Sequence, residues 1–179
     1  KVLSNTFADL NLNSDHMDAG LRFEMYKKPL PGFEAEYEGL GVPFFYVKGK
    51  YNKLQLTLGN FYEQFGSGLI FRTYEDRGLG IDNSLRGALL TYNSGNINIK
   101  GLFGYQRNYW KYTKETVKGI DAEIYLSEWI DFLKDNNIRM IVGSSFVSKY
   151  QQNELIMASM FEKFNLPEHI GAFASRLRL

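Results

Sequence analysis

The sequence predicts an all-β protein, an antiparallel up-and-down transmembrane β-barrel or about eight strands of a larger barrel. Short runs of residues alternate apolar and polar side chains with period two, and turn residues separate the runs. The chain has 12 Tyr, 14 Phe and 17 Gly but only 4 Pro, which suits strands with interfacial rings and glycines that relieve crowding. Long and short connections between the runs mostly alternate, as they do between the two rims of a membrane barrel.

Eight strands are predicted in chain order. They lie near residues 21–26, 45–51, 54–74, 84–92, 97–106, 120–127, 138–149 and 173–179. The clearest alternation places Ile120, Ile124 and Leu126 on one face and Asp121 and Glu123 on the other. In a membrane barrel the apolar face would meet lipid and the polar face would meet the lumen.

The connections set the predicted rims. Long links are predicted at residues 28–41, 75–83 and 151–168, tight turns at 51–53 and 93–96, and intermediate links at 112–118 and 130–137. This alternation requires residues 54–74 to form one strand, interrupted by a bulge at Gly66–Gly68. Within the last link, Glu154–Asn165 is compatible with a short amphipathic helix or with a mobile loop carrying a hydrophobic anchor.

Composition and charge exclude several classes of protein. The net charge is +1, and the basic and aromatic residues between 107 and 114 alternate faces on a strand, so no nucleic-acid partner is expected. The absence of Cys excludes disulfides and thiolate zinc sites. No apolar run is long enough for a transmembrane helix. The first residue is Lys1, which leaves open a removed signal peptide or an internal start.

Catalytic and metal-binding motifs are not found. His16 and His169 are the two histidines, and residues 13–18 around the first lack the spacing of a calcium loop. The glycine pairs at 66–68 and 78–80 are not followed by the Lys-Ser/Thr of a phosphate loop. We therefore expect no enzyme activity, no catalytic residue, no metal site and no cofactor.

A dense group of charges lies between residues 72 and 86. It consists of Arg72, Glu75, Asp76, Arg77, Asp82 and Arg86. Paired carboxylates are also found in glycoside hydrolases, but interleaved arginines favour charge neutralisation. Because arginine is costly in lipid, we expect these residues to form a mutual salt-bridge network in the lumen or in a loop. Such a network would fix the turn at residues 78–80 and act as a gate or a docking surface.

Aromatic residues near the predicted strand ends are candidates for a membrane interface. Trp and Tyr are enriched at such interfaces because the ring is apolar while its polar atom stays in water. The candidates are Tyr62, Tyr109, Trp110 and Trp129.

The sequence resembles an uncharacterised family of Bacteroidota outer-membrane barrel proteins over residues 59–68, 72–77 and 80–87. A second shared patch covers residues 166–170 and 172–174. The resemblance implies location and architecture, but no catalytic residue. Members of that family are longer, which implies that this single predicted β-barrel domain, residues 1–179, is incomplete at its C-terminus. Leu179 agrees with this, since outer-membrane barrels usually end on an aromatic residue.

The expected protein is therefore an integral barrel of the bacterial outer membrane, acting as a porin-like channel or as a scaffold subunit of a membrane complex. Its expected partners are outer-membrane lipid and other outer-membrane or periplasmic proteins. The alternative is a soluble antiparallel barrel or sandwich that binds a small apolar ligand or a sugar. The face occupied by Ile120, Ile124 and Leu126 distinguishes the two, because a soluble barrel would turn them inward.

Overall fold

The fold is built on one large antiparallel sheet. The computed structural model describes residues 3–31, 33–151, 155–159, 162–165 and 167–179. Within them the strands are β1 (Ser4–Asn13), β2 (Met17–Lys27), β3 (Gly39–Tyr51), β4 (Leu54–Phe61), β5 (Glu75–Asp76), β6 (Ile81–Asp82), β7 (Leu85–Asn93), β8 (Ile97–Asn108), β9 (Lys111–Tyr125), β10 (Ile141–Tyr150), β11 (Leu155–Ser159), β12 (Glu162–Asn165) and β13 (His169–Arg178). A short helix, α1 (Asp131–Asp135), and 3-10 turns at Ala35–Tyr37 and Leu126–Glu128 complete the described elements.

Nine strands form the sheet in the order β1-β2-β3-β4-β7-β8-β9-β10-β13, while β5–β6 and β11–β12 form separate two-stranded pairs. Each strand of the sheet lies next to the strands that precede and follow it in the chain, which is up-and-down topology. The predicted all-β antiparallel class is confirmed. The sheet is not closed, because β1 pairs with β2 and β13 with β10, and neither has a second partner in the described part of the chain.

The additional strand is β1, which the sequence prediction omitted. Leu10 and Leu12 alternate there with Asn11 and Asn13. Asn is uncommon in strands, so the alternation is weak, but ten successive residue pairs join β1 to β2.

The sheet is strongly curled. Arg107 on β8 lies 2.6 Å from the carboxylate of Glu24 on β2, although β3, β4 and β7 separate the two strands. In a flat sheet four strand spacings would place them about 19 Å apart, beyond the reach of their side chains. The concave side is therefore an inner face, and the space that it partly surrounds is here called the lumen.

The two faces of the sheet differ in polarity. On β9 the side chain of Ile120 is 53% exposed, whereas that of Asp121 is 3% exposed. The same division runs along the sheet, and exposed apolar residues of the outer face include Leu10, Leu21, Phe45, Val47, Leu56, Leu58, Leu90, Ile99, Phe103, Ile124, Val142, Phe146, Phe173 and Leu177. The predicted alternation is confirmed through Ile124, while Leu126 has left the strand for a 3-10 turn.

Residues 62–84, here called the inner segment, leave the sheet after Phe61. The prediction of one strand over 54–74 is wrong. Gly66 and Gly68 have φ of +54° and +84° and make a tight turn in place of a bulge. Phe65 and Phe71 join a buried apolar core with residues of the inner face. Phe65 packs over Gly119 of β9, where a Cβ would lie 2.6 Å from its ring.

The connections define two ends of the sheet. The turn end carries residues 14–16, 52–53 and 94–96 and the longer link 126–140, and the loop end carries 28–38, the inner segment, 109–110 and 151–168. The predicted link at 112–118 is wrong because β9 runs through it, continuing the bulged pairing with β8.

The segment 154–165 also differs from its prediction. Leu155–Ser159 and Glu162–Asn165 pair as two antiparallel strands in place of a helix or a loop, and Glu154, Met160 and Phe161 lie outside the described residues. Among the residues described, no helix is long and apolar enough to span a membrane.

Candidate functional site in the lumen

The charged group predicted between residues 72 and 86 lies at the loop end of the lumen, but most of its partners come from elsewhere. Glu75 accepts a hydrogen bond from Arg77 at 2.8 Å and pairs with Arg22 of β2 at 2.9 Å. Asp82 pairs with Arg107 of β8 at 2.5 Å. Of these contacts, Arg77–Glu75 alone joins two members of the predicted group.

We define the ion cluster by the charged residues that meet here: Asp9, Arg22, Glu24, Glu75, Asp82 and Arg107. Its centre is a bidentate pair in which Arg107 donates to the two oxygens of Glu24 at 3.0 and 2.6 Å. Both side chains are 1% exposed. A buried pair of this kind is tolerated only when hydrogen bonds satisfy both ions, and Arg107 also donates to Asp82 and to the Tyr109 carbonyl.

The remaining members of the predicted group have other roles. The Asp76 carboxylate accepts hydrogen bonds from the backbone amides of Gly78 and Leu79, which fixes the β5–β6 turn. The Arg72 guanidinium lies over the Tyr74 ring and has no carboxylate within 4.0 Å among the described residues.

Arg86 belongs to a different contact. It lies 4.6 Å from the Phe45 ring centre and 3.9 Å from that of Tyr112, and it donates to the carbonyl of Pro43. The predicted set of six charges is therefore divided among several contacts.

The four predicted interfacial aromatics separate into three environments. Tyr62 lies inside the lumen, stacked on Phe44 with ring centres 5.2 Å apart, so its prediction as an interfacial residue is wrong. Tyr62 lies there because the chain turns inward after β4. Burial raises the pKa of Tyr62 above its ordinary value. Tyr109 and Trp110 form the β8–β9 hairpin tip at the loop end, while Trp129 is exposed at the turn end.

The hairpin tip folds onto the β2–β3 connection. Trp110 donates from its ring nitrogen to the carbonyl of Tyr37 at 2.8 Å, and Tyr109 packs edge-on against the Tyr37 ring. Trp110 also lies over Gly39 and Gly41 of β3, where a Cβ would approach its ring within about 3.3 Å. These contacts close the loop end over the ion cluster.

A second ionic group lies near the edge strand β13. Arg176 donates to the Asp121 carboxylate at 2.8 and 3.0 Å, to Glu123 at 3.0 Å and to the Ser145 hydroxyl at 2.6 Å. Arg176 is not among the site residues predicted from the sequence. Its alternation with Phe173 and Leu177 was the available signal, because it placed the arginine on the face opposite to the apolar residues.

A cavity of about 370 Å³, here called the inner cavity, lies between the inner face and the start of the inner segment. Lining residues are Phe44, Tyr46, Lys48, Gln55, Thr57, Asn60, Phe61, Tyr62, Glu63, Leu89, Thr91 and Lys100. Its volume is in the range of small-molecule sites. Lys100 pairs with Glu63 at 2.8 Å, whereas Lys48 has no carboxylate within 4.0 Å in the described part of the chain.

A smaller cavity of about 250 Å³ lies between the other side of the inner segment and strands β9, β10 and β13. Phe71, Val117 and Val147 supply apolar walls, and Arg72 and Lys149 supply charge. Across the described residues, no group of three or more His, Asp or Glu side chains is arranged to hold a metal ion. The lumen thus offers aromatic, hydroxyl, amide and amine groups suited to binding.

The sequence matches, over residues 1–179, the family of unknown function DUF6029. The chain belongs to this family. A search of curated proteins gives no match. Because the match covers the whole chain, the curled sheet, the inner segment and the inner cavity all lie within the DUF6029 region.

Proposed function

We propose that this DUF6029 chain forms part of the wall of a bacterial outer-membrane β-barrel and serves as a plugged, porin-like channel or as a scaffold subunit. The observation that carries the proposal is the polarity of the curled sheet, with apolar side chains on its convex outer face and buried charges on its concave inner face. Water-soluble barrels have the opposite arrangement, whereas lipid-facing barrels have this one.

The extent of the outer apolar face supports the proposal. Exposed apolar side chains occur on strands from β1 to β13, and Leu58 and Phe173 are 52% and 68% exposed. A contiguous apolar surface of this kind is unusual on a monomeric soluble protein and marks a surface that another phase or partner covers. The strands of the sheet are 8 to 15 residues long, and a tilted transmembrane strand needs roughly 9–11.

The edges of the sheet support a larger assembly. β1 and β13 are each ten residues long, and their outer backbone groups have no partner among the described residues. In lipid an unpaired strand edge is not viable, because nothing there can hydrogen-bond to the backbone. The proposal therefore requires further strands, from this protein or from a partner subunit, next to both edges.

The inner segment helps to decide between an open pore and a plugged barrel. It packs on the inner face through Phe65 and Phe71, and the ion cluster joins it to β2 and β8. A lumen filled in this way conducts only if the inner segment moves. The geometry therefore favours a plugged barrel over an open pore. No reaction is proposed.

The outward position of Ile120 and Ile124 argues against the soluble alternative, and a flotation experiment tests the choice. The full-length natural protein, purified in detergent, would be mixed with phospholipid vesicles, the detergent removed, and the vesicles floated on a density gradient. The protein should float with the vesicles, resist extraction by carbonate and show heat-dependent migration in electrophoresis. A protein that stays monodisperse without detergent and remains at the bottom of the gradient would overturn the proposal.

A further inference from the structure

We infer that the inner cavity is a binding site for a small acidic saccharide. This inference goes beyond the proposed function, because it concerns the inner face and holds whether or not the outer face meets lipid. It rests on the position of the cavity, the chemistry of its lining and one unbalanced charge.

The position of the cavity makes its shape independent of the open edges. Its walls come from β3, β4, β7 and β8 together with Tyr62 and Glu63 of the inner segment. In the sheet, β3 is two strands from the edge β1, and β8 is three strands from the edge β13. Strands added beyond either edge would leave these walls in place.

Aromatic rings form one side of the cavity. Phe44 and Tyr62 stack with an interplanar angle of 18°, and Tyr46 packs edge-on against Phe44. Tyr46 lies directly against Gly20 of β2, where a Cβ would be 2.5 Å from its ring. The missing side chain of Gly20 lets the ring lie close to the wall and leaves space in front of it. An apolar ring beside such space is suited to the C–H face of a sugar.

Hydroxyl, amide and amine groups form the other side in a defined order. Gln55, Thr91 and Lys100 are register neighbours across β4, β7 and β8, and Lys48 and Thr57 are register neighbours across β3 and β4. Directly paired residues have Cβ atoms about 4.5–5.5 Å apart. These rows therefore place hydrogen-bonding side chains next to one another along the wall of the cavity, where several of them can contact the hydroxyl groups of one bound sugar.

The charge balance selects an acidic sugar. The carboxylate of Glu63 neutralises Lys100. Lys48 faces Asp18 of β2 in register, but that carboxylate pairs with Lys50 at 2.7 Å, and Lys48 has no carboxylate within 4.0 Å among the described residues. A neutral sugar would leave the Lys48 ammonium without a counterion. A fatty acid would neutralise it but would leave the hydroxyl and amide groups of Thr57, Thr91 and Gln55 unpaired on binding, which is unfavourable. A sugar that bears a carboxylate neutralises Lys48 and also forms hydrogen bonds with the hydroxyl and amide groups.

The test is calorimetric titration of the full-length natural protein in detergent micelles with D-glucuronate, D-glucose, acetate and octanoate. D-Glucuronate should show saturable binding, at least about tenfold tighter than D-glucose, since a charge-assisted hydrogen bond is lost with the latter. Lys48→Ala should remove this preference, and Lys48→Gln serves as a second variant that retains bulk and hydrogen bonding. Lys53→Ala, in the neighbouring turn, is the matched control and should bind as the wild type does.

Several outcomes would overturn the inference. They are the absence of saturable binding by D-glucuronate, binding of acetate or octanoate as tight as that of D-glucuronate, and an equal loss of affinity in Lys48→Gln and Lys53→Ala. Tyr46→Ala should weaken the binding of D-glucuronate and of D-glucose by the same factor, because the Tyr46 ring contacts the sugar ring and not the carboxylate. Unchanged affinity in Tyr46→Ala would also contradict the proposed stacking.

Discussion

The two halves of the lumen use the same kinds of side chain in opposite ways. At the loop end, Arg107 and Glu24 are buried together and every charge of the ion cluster has an opposite charge beside it. Toward the turn end, Lys48 lines a cavity of about 370 Å³ without a carboxylate partner among the residues described. Charges that are paired and covered hold the fold together, whereas an unpaired charge beside open space is available to a ligand.

The covering of the two halves differs as well. The hairpin tip at Trp110 and the turn at Tyr37 pack over the ion cluster. Tyr26 packs edge-on against Trp110 and is tilted by 40° to the ring of Tyr37. The turn end has only short links over strands β1 to β8. The Arg107–Glu24 pair is only 1% exposed, so its electrostatic interaction is screened by water less than that of an exposed pair.

The largest effect is expected at the centre of the ion cluster. Arg107→Met should lower the free energy of unfolding by about 3–5 kcal/mol, because it leaves the Glu24 carboxylate buried without its partner. Arg77→Met removes an arginine whose side chain is 43% exposed and should cost about 1 kcal/mol or less. Urea unfolding in detergent, followed by tryptophan fluorescence, measures both. Equal losses in the two variants would show that the cluster does not hold the loop end.

The sequence predicts the wall of the sheet better than its contents. The alternation of Ile120 and Ile124 with Asp121 is local, so period two suffices to assign the two faces. Phe61, Phe65 and Phe71 look like a continuing strand, and only packing against Gly119 shows that the chain has turned inward. Sequence periodicity contains no information about that contact.

The ion cluster and the inner cavity show the same limit. The charges at Glu75 and Asp82 were apparent in the sequence, but their partners Arg22 and Arg107 are distant in the chain and meet them because the sheet curls. Arg107 lies in a basic and aromatic run that suggested two faces of a strand, whereas a register shift in the β8–β9 pairing accompanies its turn to the interior. Lys48 gave no sequence signal beyond its inward position.

The next effect concerns the inner segment, which contributes Glu75 to the ion cluster and Glu63 to the inner cavity. Phe65→Ala should cost about 3 kcal/mol, since it empties a buried site in the core at Gly119. Leu69→Ala, at a position 84% exposed in the same segment, should cost little. Trypsin cleavage after Arg72 or Arg77 should become faster in the first variant alone. Cleavage at wild-type rate in Phe65→Ala would mean that other contacts fix the segment.

Substitutions on the outer face should change stability by an amount that depends on their depth in the bilayer. Ile120 lies near the middle of β9 and Ile124 near its turn end. If the outer face meets lipid, Ile120→Arg should cost about 2–4 kcal/mol and Ile124→Arg about 0–1 kcal/mol, because the cost of arginine falls toward the interface. Folding into phospholipid vesicles at different urea concentrations measures both. Equal costs for the two variants would argue against a bilayer around this face.

The smallest effect on stability is expected at the cavity, and it completes the contrast between the two halves. Lys48 has no carboxylate within 4.0 Å in the described part of the chain, because Asp18, its register neighbour on β2, pairs with Lys50. Lys48→Gln should therefore change the free energy of unfolding by no more than about 0.5 kcal/mol. Lys100→Gln, on the same wall, breaks the pair with Glu63 and should cost more, up to about 1 kcal/mol. The urea measurement used for Arg107 applies to both variants.

A loss in Lys48→Gln as large as that in Lys100→Gln would mean that Lys48 has a structural partner, and the turn-end half would then resemble the loop-end half. If Lys48→Gln leaves stability unchanged while abolishing the preference for D-glucuronate, the charge serves recognition and not folding, as expected where function retains a group that stability does not require.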